Sequence, residues 1–330
     1  MWFEEYHADG LRWDAVSYIR NIEGQDDPSA DIPEGWSLMQ WINGEIKKRF
    51  HGKISIAEGM HKNIWVTKDV GAGGAGFNAQ WDRGFVNPVR GAIIAPDDTS
   101  RDLGAIKNAI EHRYDVDSFQ RVIFTESHDA VANGLARVPE DICPGKANSW
   151  FSRKRSTLGG ALVFTSPGIP MIFEGQELLE DRWFQDTVPI DWSRVKGEKG
   201  ILEMYRNLIA LRRNLSGVTR GLCGQNVHVY HVDDGAKIIA FHRWDKQGPT
   251  DSVVVVVNMM NQIHDEFVIG FPRAGLWKTR FNSDANKYGQ DFGNHPAPDV
   301  EAHKGKIDGM PCEGKISIGP YTALILSQDG

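Results

Sequence analysis

The sequence predicts an α/β fold, a parallel sheet or barrel, followed by a separate antiparallel all-β domain. Up to about residue 217, short β-type runs alternate with amphipathic helices, which is typical of parallel sheets. Beyond Gly217 the helical period disappears, and β-type runs follow one another between turn signals, as in antiparallel domains. The length of 330 residues fits about two domains, so we predict a division into 1–217 and 218–330.

The first part is predicted to contain five strands with helices between them. The strands are Ala8–Trp13, Lys53–Ala57, Phe77–Trp81, Val122–Thr125 and Met171–Phe173. The helices are Trp36–Phe50, Arg101–Tyr114, Ser156–Phe164 and Ile201–Asn214. Apolar residues at i, i+3 and i+4 indicate the first, second and fourth helices, and Ser156–Phe164 is a short apolar segment. Ser37 is a plausible cap for the first helix.

The second part is predicted to contain strands alone. They are Val227–Val232, Lys237–Phe241, Val253–Asn258, Phe267–Ile269, Leu276–Phe281 and Ala323–Leu326. Turn signals at Asp234-Gly235, Gly248-Pro249 and Gly319-Pro320 separate these runs.

In the first part, the glycine-rich segment 71–76 does not open a helix after a strand, so a flexible loop is favoured over a phosphate cradle.

Composition excludes several classes of function. The net charge of −7 gives no bulk attraction to a phosphate backbone, so no nucleic-acid partner is predicted. The longest apolar run, Val253–Val257, is too short to span a bilayer, and residues 1–6 do not resemble a signal peptide. Cys143, Cys223 and Cys312 stand in no metal spacing and are predicted to be free thiols. We therefore expect a cytoplasmic protein, and its eleven Trp fit either a large core or a stacking surface.

Three acidic residues stand at the carboxyl ends of predicted strands, where parallel barrels place their catalytic groups. Asp14 lies two residues after Arg12, so both side chains face one side of a strand, and the guanidinium favours the carboxylate anion. Glu58 ends an apolar strand, where burial would favour the protonated carboxyl. Asp129 follows His128 at the end of a third strand.

Such a set suits retaining glycoside hydrolysis, in which one carboxylate attacks the anomeric carbon and a protonated carboxyl donates to the leaving oxygen. Taken singly, each signal has a simpler structural explanation. Arg12 and Asp14 could form an ordinary ion pair, Glu58 could end a solvated strand, and Ser127-His128-Asp129 could be a turn. Their order, and their common place at strand ends, favour a catalytic set.

Four segments together resemble the α-amylase superfamily of glycoside hydrolases and transglycosidases, glycoside hydrolase family 13. Residues 9–15 (DGLRWDA) resemble its nucleophile motif, 56–58 (IAE) its acid/base motif and 127–129 (SHD) its third motif. Residues 168–177 (GIPMIFEGQE) resemble the block at its last barrel strand. The resemblance implies a (β/α)8 TIM-type barrel that here lacks its first three strands, followed by an all-β C-terminal domain.

The resemblance also implies roles for individual residues. Asp14 would be the nucleophile, Glu58 the general acid/base and Asp129 the group that stabilises the transition state. Arg12 would orient Asp14, and His128 would bind substrate hydroxyls. The remaining predicted substrate-binding residues are Glu126, Trp81 and Trp183. No metal or other cofactor is predicted.

Within the superfamily, the sequence is most similar to the 1,4-α-glucan branching enzymes. The features that carry this similarity are residues 2–7 (WFEEYH), Glu126 before Ser127, residues 76–82 (GFNAQWD) and the C-terminal segments 272–284 and 318–321. The expected substrate is an α-glucan such as glycogen, amylose or maltooligosaccharides. Two alternatives remain: a hydrolase like α-amylases or the trehalohydrolases of maltooligosyl trehalose, and an inactive glucan-binding fragment.

The barrel strand that carries the nucleophile is the fourth in this family, and here it begins near the start of the sequence. The resemblance therefore implies that barrel strands four to eight are present and that the chain is N-terminally truncated. An incomplete barrel leaves open sheet edges. We expect such an edge to take up either the missing N-terminal half or a second copy of the chain.

Overall fold

The computed structural model describes residues 1–25, 27–59, 62–246 and 251–329. These residues form two units, one made of Met1–Gly84 with His112–Ile123 and the other of Phe85–Glu111 with Phe124–Gly330. The predicted domain boundary near residue 217 falls inside the second unit and stays a prediction. The turn signal Gly248-Pro249 lies outside the described residues. Within the described part of the chain, no helix is long and apolar enough to cross a membrane.

The first unit is built on four parallel strands that pair in chain order. They are β1 (Gly10–Trp13), β2 (Ile54–Ala57), β3 (Ala79–Trp81) and β4 (Arg121–Ile123). Two helices, α1 (Val16–Arg20) and α2 (Pro33–Arg49), connect β1 to β2. A core of Val16, Met39, Ala57, Val66, Ala75 and Phe77 underlies them. These four strands confirm the predicted parallel sheet, and no strand boundary differs from the prediction by more than two residues.

Helix α2 begins earlier than predicted, because a proline starts it rather than a serine cap. Pro33 occupies the first turn, where its fixed φ suits the helix and its missing N–H costs nothing. Ser37 is not a cap but lies inside the helix, where its hydroxyl donates a hydrogen bond to the Pro33 carbonyl. Lys47, Lys48 and Arg49 in the last turn complement the helix dipole.

The second unit begins with helices that surround one short strand. They are α3 (Arg83–Ile94, whose first two residues belong to the first unit), α4 (Leu103–Glu111), α5 (Val138–Ile142), α6 (Trp150–Thr165), α7 (Arg194–Gly197) and α8 (Lys199–Arg212). The strand is β5 (Ile169–Pro170), and the prediction of a strand at Met171–Phe173 was therefore wrong. Helix α6 starts six residues before the predicted Ser156, capped by Ser149, whose hydroxyl accepts from the Ser152 amide. Burial on almost every side removes the amphipathic period from α6, which is why its first half escaped prediction.

Eight antiparallel strands complete the second unit, in the spatial order β6-β7-β8-β13-β10-β11-β12-β9. They are β6 (Asn226–Asp233), β7 (Ile238–Trp244), β8 (Val253–Asn258), β9 (His264–Phe271), β10 (Gly275–Asn282), β11 (Val300–Ile307), β12 (Met310–Ile318) and β13 (Thr322–Ser327). Trp277, Ile316 and Leu324 belong to their buried core. The six predicted strands are present, whereas β11 and β12 were missed because charged and polar residues dominate β11 and the exposed positions of β12. A parallel sheet and a later all-β sheet confirm the predicted fold class.

Candidate active site

The first unit places Asp14 and Glu58 side by side at the carboxyl ends of two adjacent parallel strands. In the β1–β2 register Trp13 stands opposite Ala57, so the next residue of each strand is one of the two acids. The Glu58 amide donates to the Trp13 carbonyl over 2.9 Å, and the Val16 amide donates to the Glu58 carbonyl over 3.1 Å. Backbone pairing therefore continues past both strands and holds the two acids at one edge of the sheet.

Arg12 links the two carboxylates. Its guanidinium lies 2.6 Å from Oδ1 of Asp14 and 2.6 Å from Oε1 of Glu58. A carboxylate oxygen of Asp14 lies within 4.8 Å of one of Glu58. The two acids differ sharply in environment, since the Asp14 side chain is 75% exposed and that of Glu58 only 7%. One carboxylate is therefore open to an incoming reactant, while the other is held inside the protein.

Ala15 provides a second donor for Glu58. Its backbone is left-handed, with φ 44° and ψ 46°, a conformation that residues other than glycine seldom adopt. In this turn the Ala15 amide donates to Oε2 of Glu58 over 2.8 Å. Strained backbone of this kind is frequent at functional sites, where surrounding contacts maintain it. Glu58 is thus held at one oxygen by Arg12 and at the other by the turn that follows Asp14.

Trp81, at the end of β3, contacts the Arg12 guanidinium with its ring. The Arg12 guanidinium carbon lies 4.9 Å from the centroid of the Trp81 ring, within the range of a cation–π contact. Trp81 itself is only 6% exposed. The structure therefore places Trp81 against Arg12 in the interior. Its predicted contact with substrate is untested and stays a prediction.

A buried polar cluster that the sequence did not predict lies directly after Trp81. Asp82 accepts from the Arg121 guanidinium over 3.1 Å and from the Tyr114 hydroxyl over 3.1 Å, and both charged side chains are fully buried. Burial lowers the pKa of Arg121, and burial together with the Asp82 charge raises the pKa of Tyr114. The available signal was position, because Asp82 follows β3 as Glu58 follows β2.

Glu126 is buried in the second unit and engaged by protein groups. One oxygen accepts from the Val138 amide over 2.6 Å, and the other lies 3.1 Å from Nε of Arg137. Burial raises its pKa, although the Arg137 charge opposes the shift. Arg137 in turn donates to the Glu174 carbonyl over 2.8 Å, in the block that resembles the last barrel strand. Contacts to both of its oxygens suit a positioning residue, and a contact between Glu126 and substrate stays a prediction.

His128 and Asp129 lie closer to solvent. Nε2 of His128 is 3.4 Å from Oδ1 of Asp129, and the two side chains are 35% and 66% exposed. The Trp183 side chain is exposed too, and its neighbour Phe184 donates its amide to the Val131 carbonyl over 2.7 Å. This bond places the Trp183 loop beside the segment that follows Asp129. The predicted site residues of the second unit therefore lie in neighbouring segments. Those of the first unit, Arg12, Asp14, Glu58 and Trp81, lie together at the strand ends.

A family model places residues 229–329 in the alpha amylase C-terminal all-beta domain. Over 308 residues the chain is 28% identical to the 1,4-alpha-glucan branching enzyme GlgB 2 of Xanthomonas euvesicatoria, covering 89% of this chain and 40% of that enzyme. Over 354 residues it is 26% identical to the 1,4-alpha-glucan branching enzyme GlgB of Rhodospirillum rubrum, covering 100% of this chain and 45% of that enzyme. The chain thus spans less than half the length of these relatives.

Solved structures show the same fold. An Anoxybacillus pullulanase complexed with maltotetraose aligns with a TM-score of 0.66 at 20% identity, over 99% of this chain and 45% of its own. A Geobacillus thermoleovorans alpha-amylase complexed with acarbose aligns with a TM-score of 0.66 at 16% identity, over 100% of this chain and 62% of its own. These matches confirm the amylase-like partial barrel followed by an all-β domain. The chain is therefore similar, over nearly its whole length, to 1,4-alpha-glucan branching enzymes, and its residues 229–329 match the C-terminal all-beta domain of the alpha-amylase family.

Proposed function

We propose that this chain carries the catalytic acids of a retaining α-glucan transglycosidase of the branching type. The observation that carries the proposal is the pair Asp14 and Glu58, which stand on neighbouring strand ends, share Arg12 and have opposite exposure. Their carboxylate oxygens lie within 4.8 Å. That separation suits a retaining mechanism, in which the two carboxyl groups are ~5–5.5 Å apart, better than an inverting one.

Asp14 is the nucleophile in this proposal. Its exposed carboxylate can reach the anomeric carbon of a bound glucan, and Arg12 fixes its orientation. Attack forms a bond between a carboxylate oxygen and C1 while the bond from C1 to the glucosidic O4 breaks. Glu58, protonated at this stage, gives its proton to O4, and the shortened chain leaves with a new hydroxyl.

Glu58 then acts as the base. Its carboxylate takes the proton from the 6-hydroxyl of an acceptor glucan, the freed oxygen attacks C1, and the bond from C1 to Asp14 breaks. The product contains an α-1,6 linkage, and both acids return to their starting states. Arg12 and the Ala15 amide hold Glu58 in one orientation through both steps, so the same oxygen can give and take the proton.

The other predicted site residues keep the roles that the family resemblance implies. In this proposal Asp129 stabilises the positive charge that develops at C1, and His128 binds substrate hydroxyls. The partly exposed pair of these two side chains supports both roles. Glu126 maintains the position of the segment through Arg137 and the Val138 amide, and the exposed Trp183 ring offers a stacking face. The similarity to branching enzymes at 26–28% identity favours transfer over hydrolysis.

The test is to incubate amylose with the purified chain and follow iodine absorbance and reducing ends together. Branching lowers the absorbance with few new reducing ends and creates α-1,6 linkages that an isoamylase can release. Asp14→Asn is expected to abolish turnover, since loss of the nucleophile removes the covalent step and costs at least about 10³-fold in rate. A 2-fluoro-glycoside should label Asp14, which peptide mass spectrometry would detect.

Asp234→Asn is the matched control. Asp234 is also about three-quarters exposed and also pairs with a cation, Lys237, but it lies on the turn between β6 and β7. Its replacement should leave turnover unchanged. Abundant reducing ends would establish the hydrolase instead. Retention on an amylose column without turnover would establish a glucan-binding chain, and labelling at a residue other than Asp14 would refute the assignment of the nucleophile.

A further inference from the structure

The first unit also contains a groove of about 800 Å³ whose lining includes two tryptophans. Its size lies within the ~300–1,000 Å³ of typical small-ligand sites, which combine aromatic walls with a few polar groups. Trp36 and Trp65 line it together with Pro33, Ile64, Asp31 and Asn63. Trp65 is 45% exposed, and Ile64 beside it is 38% exposed. The groove therefore presents apolar faces to solvent with polar groups at the rim.

The walls of the groove are the chain segments that follow the two catalytic acids. One wall comes after Asp14 and consists of Pro28, Asp31 and the first turn of α2. The other comes after Glu58, where Asn63 accepts from the Trp65 amide over 3.0 Å and caps the short helical turn Ile64–Val66. Segments that follow the carboxyl ends of parallel strands line the substrate side of such sheets.

The glycine-rich segment 71–76, predicted as a flexible loop, joins these walls. The Trp36 indole N–H donates to the Gly73 carbonyl over 3.2 Å, and the Gln40 amide donates to the carbonyls of Gly73 and Gly74 over 3.1 and 3.0 Å. A Cβ on Gly74 would lie 2.2 Å from the Lys68 carbonyl oxygen, so only glycine fits this approach. Glycine thus lets the segment reach α2 while staying against the Trp65 turn.

The Trp65 ring is held by a cation and by its own backbone. Nζ of Lys68 lies 4.3 Å from the ring centroid, as a cation–π contact requires, and Lys68 lines a different cavity. The Trp65 carbonyl accepts from the Ala75 amide over 2.8 Å. A ring held in this way loses little freedom when a ligand stacks on it, which favours binding.

We propose that this groove is an additional α-glucan subsite, in which the Trp65 ring stacks on a glucose unit of a chain bound beside the catalytic pair. The inference rests on the proposed function for its ligand class. A pyranose ring offers apolar C–H faces and a belt of hydroxyls, which match an indole face beside a carboxylate and an amide. The charged residues of the lining are Arg20, Lys62 and Asp31, and Arg20 donates to the Gln25 carbonyl over 2.6 Å. Side chains of both signs suit the hydroxyls of a neutral glucan, which both donate and accept hydrogen bonds.

The test measures binding of maltoheptaose by titration calorimetry in the Asp14→Asn background, where no turnover occurs. Trp65→Ala is expected to weaken the affinity roughly three- to tenfold, the loss of one aromatic stacking contact. Trp65→Tyr keeps an aromatic face and should bind within about twofold of the parent. The control is Trp41→Ala, because Trp41 is a 66%-exposed tryptophan on α2 that lines another cavity.

Unchanged affinity in a folded Trp65→Ala variant would overturn the proposal, and circular dichroism with the thermal midpoint establishes that the variant is folded. Equal binding of cellohexaose with the same dependence on Trp65 would overturn the α-glucan assignment. The two proposals fail separately. Maltoheptaose binding that depends on Trp65 in a chain without turnover supports the subsite and refutes only the catalytic proposal. Turnover with no effect of Trp65→Ala on affinity refutes only the subsite.

Discussion

Arg12 makes two ion pairs of equal length in different surroundings, and this allows a direct test of how burial sets their strength. Both guanidinium–carboxylate distances are 2.6 Å, yet the Glu58 side chain is 7% exposed and that of Asp14 is 75% exposed. The perturbation is a pair of double-mutant cycles built from Arg12→Met with Glu58→Gln and with Asp14→Asn. Each cycle isolates the coupling free energy of one pair.

The magnitudes follow from the environment of each carboxylate. Solvent screens the pair with Asp14, so its coupling should be about 0.5 kcal/mol, typical of exposed pairs. Breaking a fully buried pair costs about 3–5 kcal/mol, but Arg12 is 34% exposed, and the Ala15 amide still donates to Glu58 after the change. We therefore expect about 2 kcal/mol for the coupling to Glu58, a difference of ~1.5 kcal/mol between the cycles.

The assay is urea unfolding of the wild type, the three single variants and the two double variants at pH 7. Slopes that agree between variants would establish that the native and unfolded states are comparable. Free-energy changes at independent sites are additive to within about 0.5 kcal/mol, which sets the resolution of the comparison. Coupling energies of Arg12 to Asp14 and to Glu58 that agree within this margin would show that burial does not distinguish the two acids. A larger coupling to Asp14 than to Glu58 would refute the argument from burial as well.

Two further predictions concern the second unit. Lys154→Met should lower the free energy of unfolding in urea by about 3–5 kcal/mol, because the buried Asp284 carboxylate, 2.6 Å from Lys154, would lose its cation. Adding Asp284→Asn should recover part of this loss. A double variant without any recovery would contradict the ion-pair explanation. The pKa of His242 is lowered from 6.5 to about 4, first by burial and then by the charges of His228 and nearby arginines. As the pH falls, the imidazole therefore takes up a proton in the unfolded chain before it does so in the folded one. The contribution of His242 to the free energy of unfolding is therefore constant above pH 6.5 and falls as the pH decreases toward 4. Between pH 7.5 and 5 the free energy of unfolding of the wild type should fall by about 2 kcal/mol more than that of His242→Phe. Equal decreases in the two proteins would contradict the lowered pKa.

Much of the site followed from local sequence, because strand ends are local features. The run before Glu58 is short and mostly apolar, and the strand before Asp14 carries Arg12 two residues ahead of the acid. The structure places both acids directly after parallel strands. In the all-β part, alternation and turn residues were sufficient for six strands. The hairpin of β11 and β12 was not predicted because the charged residues of β11 outnumber its buried ones, although Asp308 and Gly309 form its left-handed turn.

Local sequence patterns could not predict contacts between segments that are distant along the chain. Arg121 and Asp82 pair 39 residues apart, and nothing near either residue identifies the other as its partner. The left-handed turn at Ala15 supplies a hydrogen-bond donor to Glu58. The sequence does not predict this turn either, because alanine usually favours right-handed helix. Burial on all sides concealed the first half of α6 for a related reason, since the amphipathic period arises only when one helix face meets water.

The sequence by itself determined the order of the elements and the candidate acids, because hydrophobic period, turn residues and motif order are all written along the chain. Only the tertiary structure decided how those acids differ. Exposure and partner distances depend on residues that are remote in sequence, and they separate an open Asp14 from an enclosed Glu58 although the same guanidinium holds both. The groove lined by Trp36 and Trp65 has the same origin, since glycines 73 and 74 bring together walls that the sequence separates by almost thirty residues.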